Sequence, residues 1–206
     1  ERAGQAQARE SLTKIGEALE KYHQQDNHYP PGGVFRKDGN GLDVPMHGWM
    51  TLLLPYLDEQ ELADRIDRNQ PYNAPPNLPA MQTELPLFLV DGVAQRRTVS
   101  GLAVVHFAGV GGEIVREESG FAHVGIFERN SIVSRSDITD GLSTTFVAGQ
   151  IADGFPAWGE PENFRTIGKG LNQNLQGFGN SERTGALFLM ADGSVRFFAN
   201  GTSTRV

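Results

Sequence analysis

Leu12, Ile15, Leu19 and Tyr22 recur at steps of three, four and three, with Glu10, Lys14, Glu17, Glu20 and Lys21 between them. That period marks one narrow apolar face of an amphipathic helix over residues 9–25. Pro30 and Pro31 lack backbone donors, so the helix must stop before Tyr29. Further on, HGWMTLLLPYLDEQELADRID reads as two short helical pieces broken by Pro55, with Trp49, Leu53, Tyr56 and Leu57 facing the core. NQPYNAPPNLPA is a proline-rich surface connection, and LPLFLVDG has the pattern of a short buried strand.

The second half changes period. GLAVVHFAGVGG, HVGIFE, NSIVSRSDI and STTFVAGQI are β-like runs rich in Val, Ile, Phe and Thr, separated by Gly, Asn, Asp and Ser. TIGKGLNQNLQGFGNSERTG reads as a long loop. In ALFLMADGSVRFFANG, Asp192 and Gly193 predict a two-residue type I′ turn between apolar strands. Helices come first and strands follow, which is segregated α+β rather than alternating βαβ. The expected organisation is a helical segment, residues 1–29, and one head domain, residues 30–206, with a loop and helical insert.

Composition narrows this further. The chain has 206 residues, 38% of them hydrophobic, and 25 glycines, which suits a turn-rich sheet protein better than a helical bundle. The net charge is −7 and no basic cluster exceeds Arg96-Arg97, so nucleic acid is not an expected partner. The absence of cysteine removes disulfides, thiolate catalysis and cysteine-based zinc sites. No apolar run approaches the ~18 residues of a membrane span.

Sequence patterns for chemistry are sparse. The five histidines are His23, His28, His47, His106 and His123. His23 and His28 are five apart, the wrong spacing for a helical metal pair. Ser143 in DGLSTT follows a turn rather than a strand, unlike a nucleophile elbow, and GVGG lacks a following phosphate-binding helix. Two acidic loops offer oxygens at short spacing for calcium: Asp38, Asn40 and Asp43 in one, Asp137, Asp140 and Ser143 in the other. The same residues also make ordinary turns and caps. Trp158 with Glu160 and Glu162 could line a sugar or solute site, or could anchor a loop on the sheet.

The order of landmarks resembles a large family of planctomycete proteins known by a domain of unknown function, DUF1559. LTKIGEALEKYHQQDNHYPP is similar to the family's opening helix and its proline stop. GWMTLLLPYLDEQELADRID, HFAGVGGE, SDITDGLSTTFVAGQ, AWGEPENF and ADGSVRFF follow in the family's order. The chain departs from the family pattern at Glu182, where the family's H-x9-DG segment has histidine, and at Val90, where a cysteine is frequent. The resemblance implies a prepilin-type leader and an upstream hydrophobic helix continuing into the amphipathic one. It also implies a pilin- or pseudopilin-like fold, in which that helix packs on an antiparallel sheet.

On this basis the expected role is a pseudopilin-like structural or interaction protein, as in type II secretion. It would lie outside the cytoplasm, in the periplasm or at the cell surface. In full length the missing helix would hold it in the inner membrane, and its partners would be other pilin-like subunits or itself. The alternative is an extracytoplasmic solute- or carbohydrate-binding module resting on Trp158, Trp49 and the loop at residues 171–179. Catalysis is not expected, although carboxylate pairs assembled by folding leave no local spacing signal.

Overall fold

The computed structural model describes residues 3–117, 120–168 and 170–202. Helix α1 (Ala3–Asp26) forms where the apolar period predicts it and extends further toward the N-terminus. It ends at Asn27, whose left-handed φ of 61° and N–H bond to the His23 carbonyl (2.8 Å) close the last turn. Leu12, Ile15 and Leu19 are buried, and Tyr22 packs half-buried beside Tyr56. The buried face is broader than the sequence stripe, because the small residues Ala8, Ser11 and Ala18 are enclosed with it.

After the double proline come the hairpin β1 (Gly33–Lys37) and β2 (Asp43–Gly48), then α2 (Trp49–Leu53). Pro55 sits in a 3-10 turn, Leu54–Tyr56, and α3 (Gln60–Asp64) follows, matching the two pieces expected around that proline. The proline-rich connection is ordered about Asn77, whose buried carboxamide binds the backbone of Asp67, Gln70 and Pro71. It leads into the short α4 (Leu78–Met81).

The remaining strands are β3 (Phe107–Val110), β4 (Glu113–Glu117), β5 (Gly120–Val124), β6 (Phe146–Gln150), β7 (Phe164–Arg165), β8 (Gly185–Met190) and β9 (Val195–Ala199). Five of them form one sheet in the order β7-β3-β6-β8-β9, while β4 and β5 form a separate hairpin. The side chains of residues 113–124, His123 among them, and Lys169 of the long loop lie outside the described residues. Strand β8 is buried along its whole length because both faces of the sheet are covered. Leu187 and Leu189 point toward α1 and the short helices, while Ala186, Phe188 and Met190 point into a second apolar layer with Phe155 and Phe178. The α1 face closes against β8, where Gly16 lies over Leu189.

Four expectations change. The sheet is mixed rather than antiparallel: β7 runs parallel to β3. LPLFLVDG is a 3-10 turn, Pro86–Phe88, followed by extended chain outside the sheet. Its buried polar groups are met instead by His106, whose N–H binds the Phe88 carbonyl and whose ring accepts from Val90. NSIVSRSDI forms no strand, because Ser134 and Asp137 make a capping box around the 3-10 turn Arg135–Asp137. The β8–β9 hairpin turns over three residues, not two. Gly193 alone takes positive φ (84°), its N–H bonds the Met190 carbonyl (2.9 Å), and Met190 N–H bonds the Ser194 carbonyl (2.8 Å). Asp192 holds the turn by accepting from Ser194 N–H and Oγ.

Candidate functional site

In the two acidic loops, the carboxylates of Asp38, Asp43 and Asp137 are engaged in local structure. Asp38 Oδ1 accepts the N–H groups of Asn40 (2.8 Å) and Leu42 (2.9 Å), and these bonds hold its carboxyl below the usual range. Asp43 pairs instead with Lys37 (2.8 Å) and faces Arg129 (4.0 Å). Asp137 Oδ2 accepts from the N–H and Oγ of Ser134, which likewise lowers its pKa. Asp140 contributes its main-chain carbonyl to Thr144 Oγ1 (2.5 Å). Among the described residues, no three histidine or acidic side chains gather as a metal cluster.

Trp158 is an anchor and cannot line an open site, because it is 0% exposed. Its Nε1–H donates to the Thr83 carbonyl (3.0 Å) and its ring packs near Phe88. Trp49 is equally enclosed, stacks on Phe127 and donates to the Asn163 carbonyl (2.8 Å). Glu160 is half-buried and accepts the Ala157 N–H (3.3 Å); burial raises its pKa. The glycines of GVGG serve close packing: a side chain on Gly109 or Gly111 would collide with Phe127, and one on Gly112 with Phe164.

The loop at residues 171–179 is organised by a residue that carried no sequence signal. Arg165 is buried, and its guanidinium donates to the carbonyls of Asp153 (3.0 Å), Gly154 (2.7 Å), Leu175 (3.1 Å) and Gly177 (2.8 Å). Burial pulls its pKa down to about 10. The four acceptors lie ten to twelve positions away on both sides, so no local motif announces the cluster.

Two concave features stand out among the described residues. The larger is an open groove of about 640 Å³ between α1 and the turn at residues 190–193. Glu17, Lys21, Gln24 and Asp192 line its polar side, and Leu19 and Val147 its apolar side. Arg135 crosses one end and holds Glu20 with two guanidinium nitrogens. The second is a cleft of about 150 Å³ where the first turn of α1 meets the end of β6 and residues 90–92 and 180–182. Val90 and Glu182, the two departures singled out by sequence resemblance, both line it. Neither concavity includes Trp158, Glu160 or the loop at residues 171–179.

A family model described as a protein of unknown function (DUF1559) matches residues 1–163. No curated protein and no solved structure matches the chain.

Proposed function

The chain belongs to the DUF1559 family, and from that premise we propose that it is the head of a pseudopilin-like structural protein, held in the inner membrane by a preceding hydrophobic helix and acting outside the cytoplasm by assembly rather than catalysis. The observation that carries this reading is the docking of an N-terminal helix of 24 residues across a largely antiparallel sheet. Leu12, Ile15 and Leu19 enter the core, while Glu10, Thr13, Lys14, Glu17 and Lys21 leave a polar face free for neighbouring subunits. No helix among the described residues is long and apolar enough to cross a membrane, so the anchor would lie upstream.

The test is fractionation of cells producing the complete gene product, with protease applied to spheroplasts. The expected result is a membrane-bound protein digested from outside, with a processed N-terminus. Recovery of an unprocessed protein in the cytoplasm would overturn the reading.

A solute-binding module is the second reading. The groove of about 640 Å³ beside α1 supports it, since a pocket of that size suits a small ligand. A thermal-shift panel of sugars, amino acids and peptides, repeated with Lys21→Ala, separates the two. A stabilising ligand whose effect Lys21→Ala removes favours solute binding.

A further inference from the structure

The sequence holds two Asn-Gly dipeptides, Asn40-Gly41 and Asn200-Gly201. In such a pair the side-chain amide carbon can reach the next backbone nitrogen, and glycine puts no side chain in the way. Both pairs are exposed, and a Cβ on either glycine would meet nothing within 4 Å. The two carboxamides differ in how they are held. Asn200 is fixed at both ends: Nδ2 donates to the Arg183 carbonyl (2.6 Å), and Oδ1 accepts from Asn172 Nδ2 (2.7 Å). Its Cγ cannot swing onto the Gly201 nitrogen until both bonds break.

Asn40 stands at the tip of the β1–β2 hairpin, in a stretch exposed from Arg36 to Asp43. Asp38 shapes the loop by accepting the N–H groups of Asn40 and Leu42, and the Asn40 carboxamide faces that same exposed carboxylate. The Gly41 N–H is bound to the Asp38 carbonyl (3.0 Å), a bond that water can replace at an exposed tip. Gly41 has a φ of 82°, which glycine adopts without strain. The loop is thus open where the Asn200 site is tied down.

We propose that Asn40 is a self-modification site, where the folded chain converts asparagine to aspartate and isoaspartate through a succinimide, while Asn200 is protected. The Gly41 nitrogen bonds to Asn40 Cγ and the Cγ–Nδ2 bond breaks. Nδ2 leaves as ammonia, taking the proton that the Gly41 nitrogen gives up. Water then opens the imide at one of its two carbonyls. One opening gives aspartate. The other routes the main chain through Cγ and adds a backbone atom to the hairpin tip. Either product places a new negative charge between Asp38 and Asp43, the latter already paired with Lys37 (2.8 Å). The inference does not depend on the pseudopilin reading, since it concerns the head domain alone.

The test is peptide mapping by mass spectrometry after timed incubation of the chain at mildly alkaline pH, folded and in concentrated urea. Unfolded, Asn40 and Asn200 should gain the mass of an amide-to-acid conversion at similar rates, because glycine follows each. Folded, Asn40 should convert about tenfold or more faster than Asn200, whose two hydrogen bonds must break first. The Asn40 product should separate into aspartyl and isoaspartyl isomers, and Asn40→Gln should abolish the change in that peptide. Asn172→Gly removes the donor to Asn200 Oδ1 and suits the left-handed φ of 58° at that position. It should raise the rate at Asn200 and leave Asn40 unchanged. The proposal is overturned if Asn40 stays intact in the folded chain while converting in urea. It is equally overturned if Asn200 converts as fast as Asn40 in the folded chain.

Discussion

Val90 and His106 are joined by a hydrogen bond of 2.8 Å from the Val90 backbone N–H to the imidazole Nδ1. The other ring nitrogen bonds the Gln95 carbonyl at 2.8 Å. Only the neutral tautomer protonated at Nε2 satisfies both, so the ring acts as a fixed splice between β3 and the chain beside it.

Stability should therefore depend on pH in a definite direction. Burial lowers the pKa of His106 and also that of His47, whose ring nitrogens are enclosed without hydrogen-bond partners. A folded-state pKa below the unfolded value of about 6.5 means that the unfolded chain binds the proton first. The stabilisation is complete above that pH and is lost as pH falls toward the folded value. Urea unfolding between pH 7.5 and 5 should show stability falling by at most about 1.4 kcal/mol per pH unit for each such group. His106→Asn should shallow the slope; an unchanged slope would show that His106 does not titrate with folding.

Gly111 should tolerate no side chain. A Cβ there would fall on the backbone carbonyl of Phe127, to which Gly111 is paired in a parallel bridge. Backbone cannot swing aside as a side-chain tip can, so Gly111→Ala should cost about 3 kcal/mol or more. Gly39 has nothing within 4 Å of its Cβ position, and Gly39→Ala should stay within about 0.5 kcal/mol. Equal midpoints in chemical denaturation for the two variants would refute this packing account.

Arg165 should govern the order of the glycine- and asparagine-rich loop. Arg165→Met keeps much of the stem but strands the carbonyls of Asp153, Gly154, Leu175 and Gly177. Hydrogen bonds to a charged donor are worth about 1.5–3 kcal/mol each before relaxation, so a total loss of at least about 3 kcal/mol is expected. Arg165→Lys should recover only part of it, because an ammonium cannot reproduce the planar fork. Amide exchange at residues 171–180 should accelerate first; uniform acceleration across β8 instead would assign Arg165 to global stability alone.

Features whose cause is local could be read from the sequence. The spacing of Leu12, Ile15 and Leu19 announces α1, and the prolines at 30 and 31 mark its limit. The apolar runs around Asp192 and Gly193 announce the last hairpin, although whether Asp192 also takes positive φ depends on its bonds to Ser194. Features whose cause lies far along the chain left no trace. The LPLFLVDG run has the composition of a strand but finds its partner in an imidazole, and β7 is two residues long with its pairing set by β3. Trp158 beside Glu160 has the same composition in a pocket wall or a core, and only burial distinguishes them. Gln150 is a polar residue at the end of an ordinary strand until α1 and residues 180–182 close over it.

What fastens α1 to the head can be decided by magnitude. Arg135 and Glu20 form a two-pronged ion pair, but their side chains are 39% and 38% exposed, and such pairs contribute about 0–1 kcal/mol. Leu12, Ile15 and Leu19 are enclosed between α1 and the sheet, where truncation of a large aliphatic side chain to alanine costs about 2–5 kcal/mol. Glu20→Gln should thus lower stability by less than about 1 kcal/mol, and 1 M salt, with a screening length of about 3 Å, should shrink that difference further. Leu12→Ala should lose several times as much, with little dependence on salt. Denaturant midpoints for both variants at low and high salt settle the comparison. A larger, salt-sensitive loss from Glu20→Gln would mean that electrostatics, not the apolar seam, holds the helix.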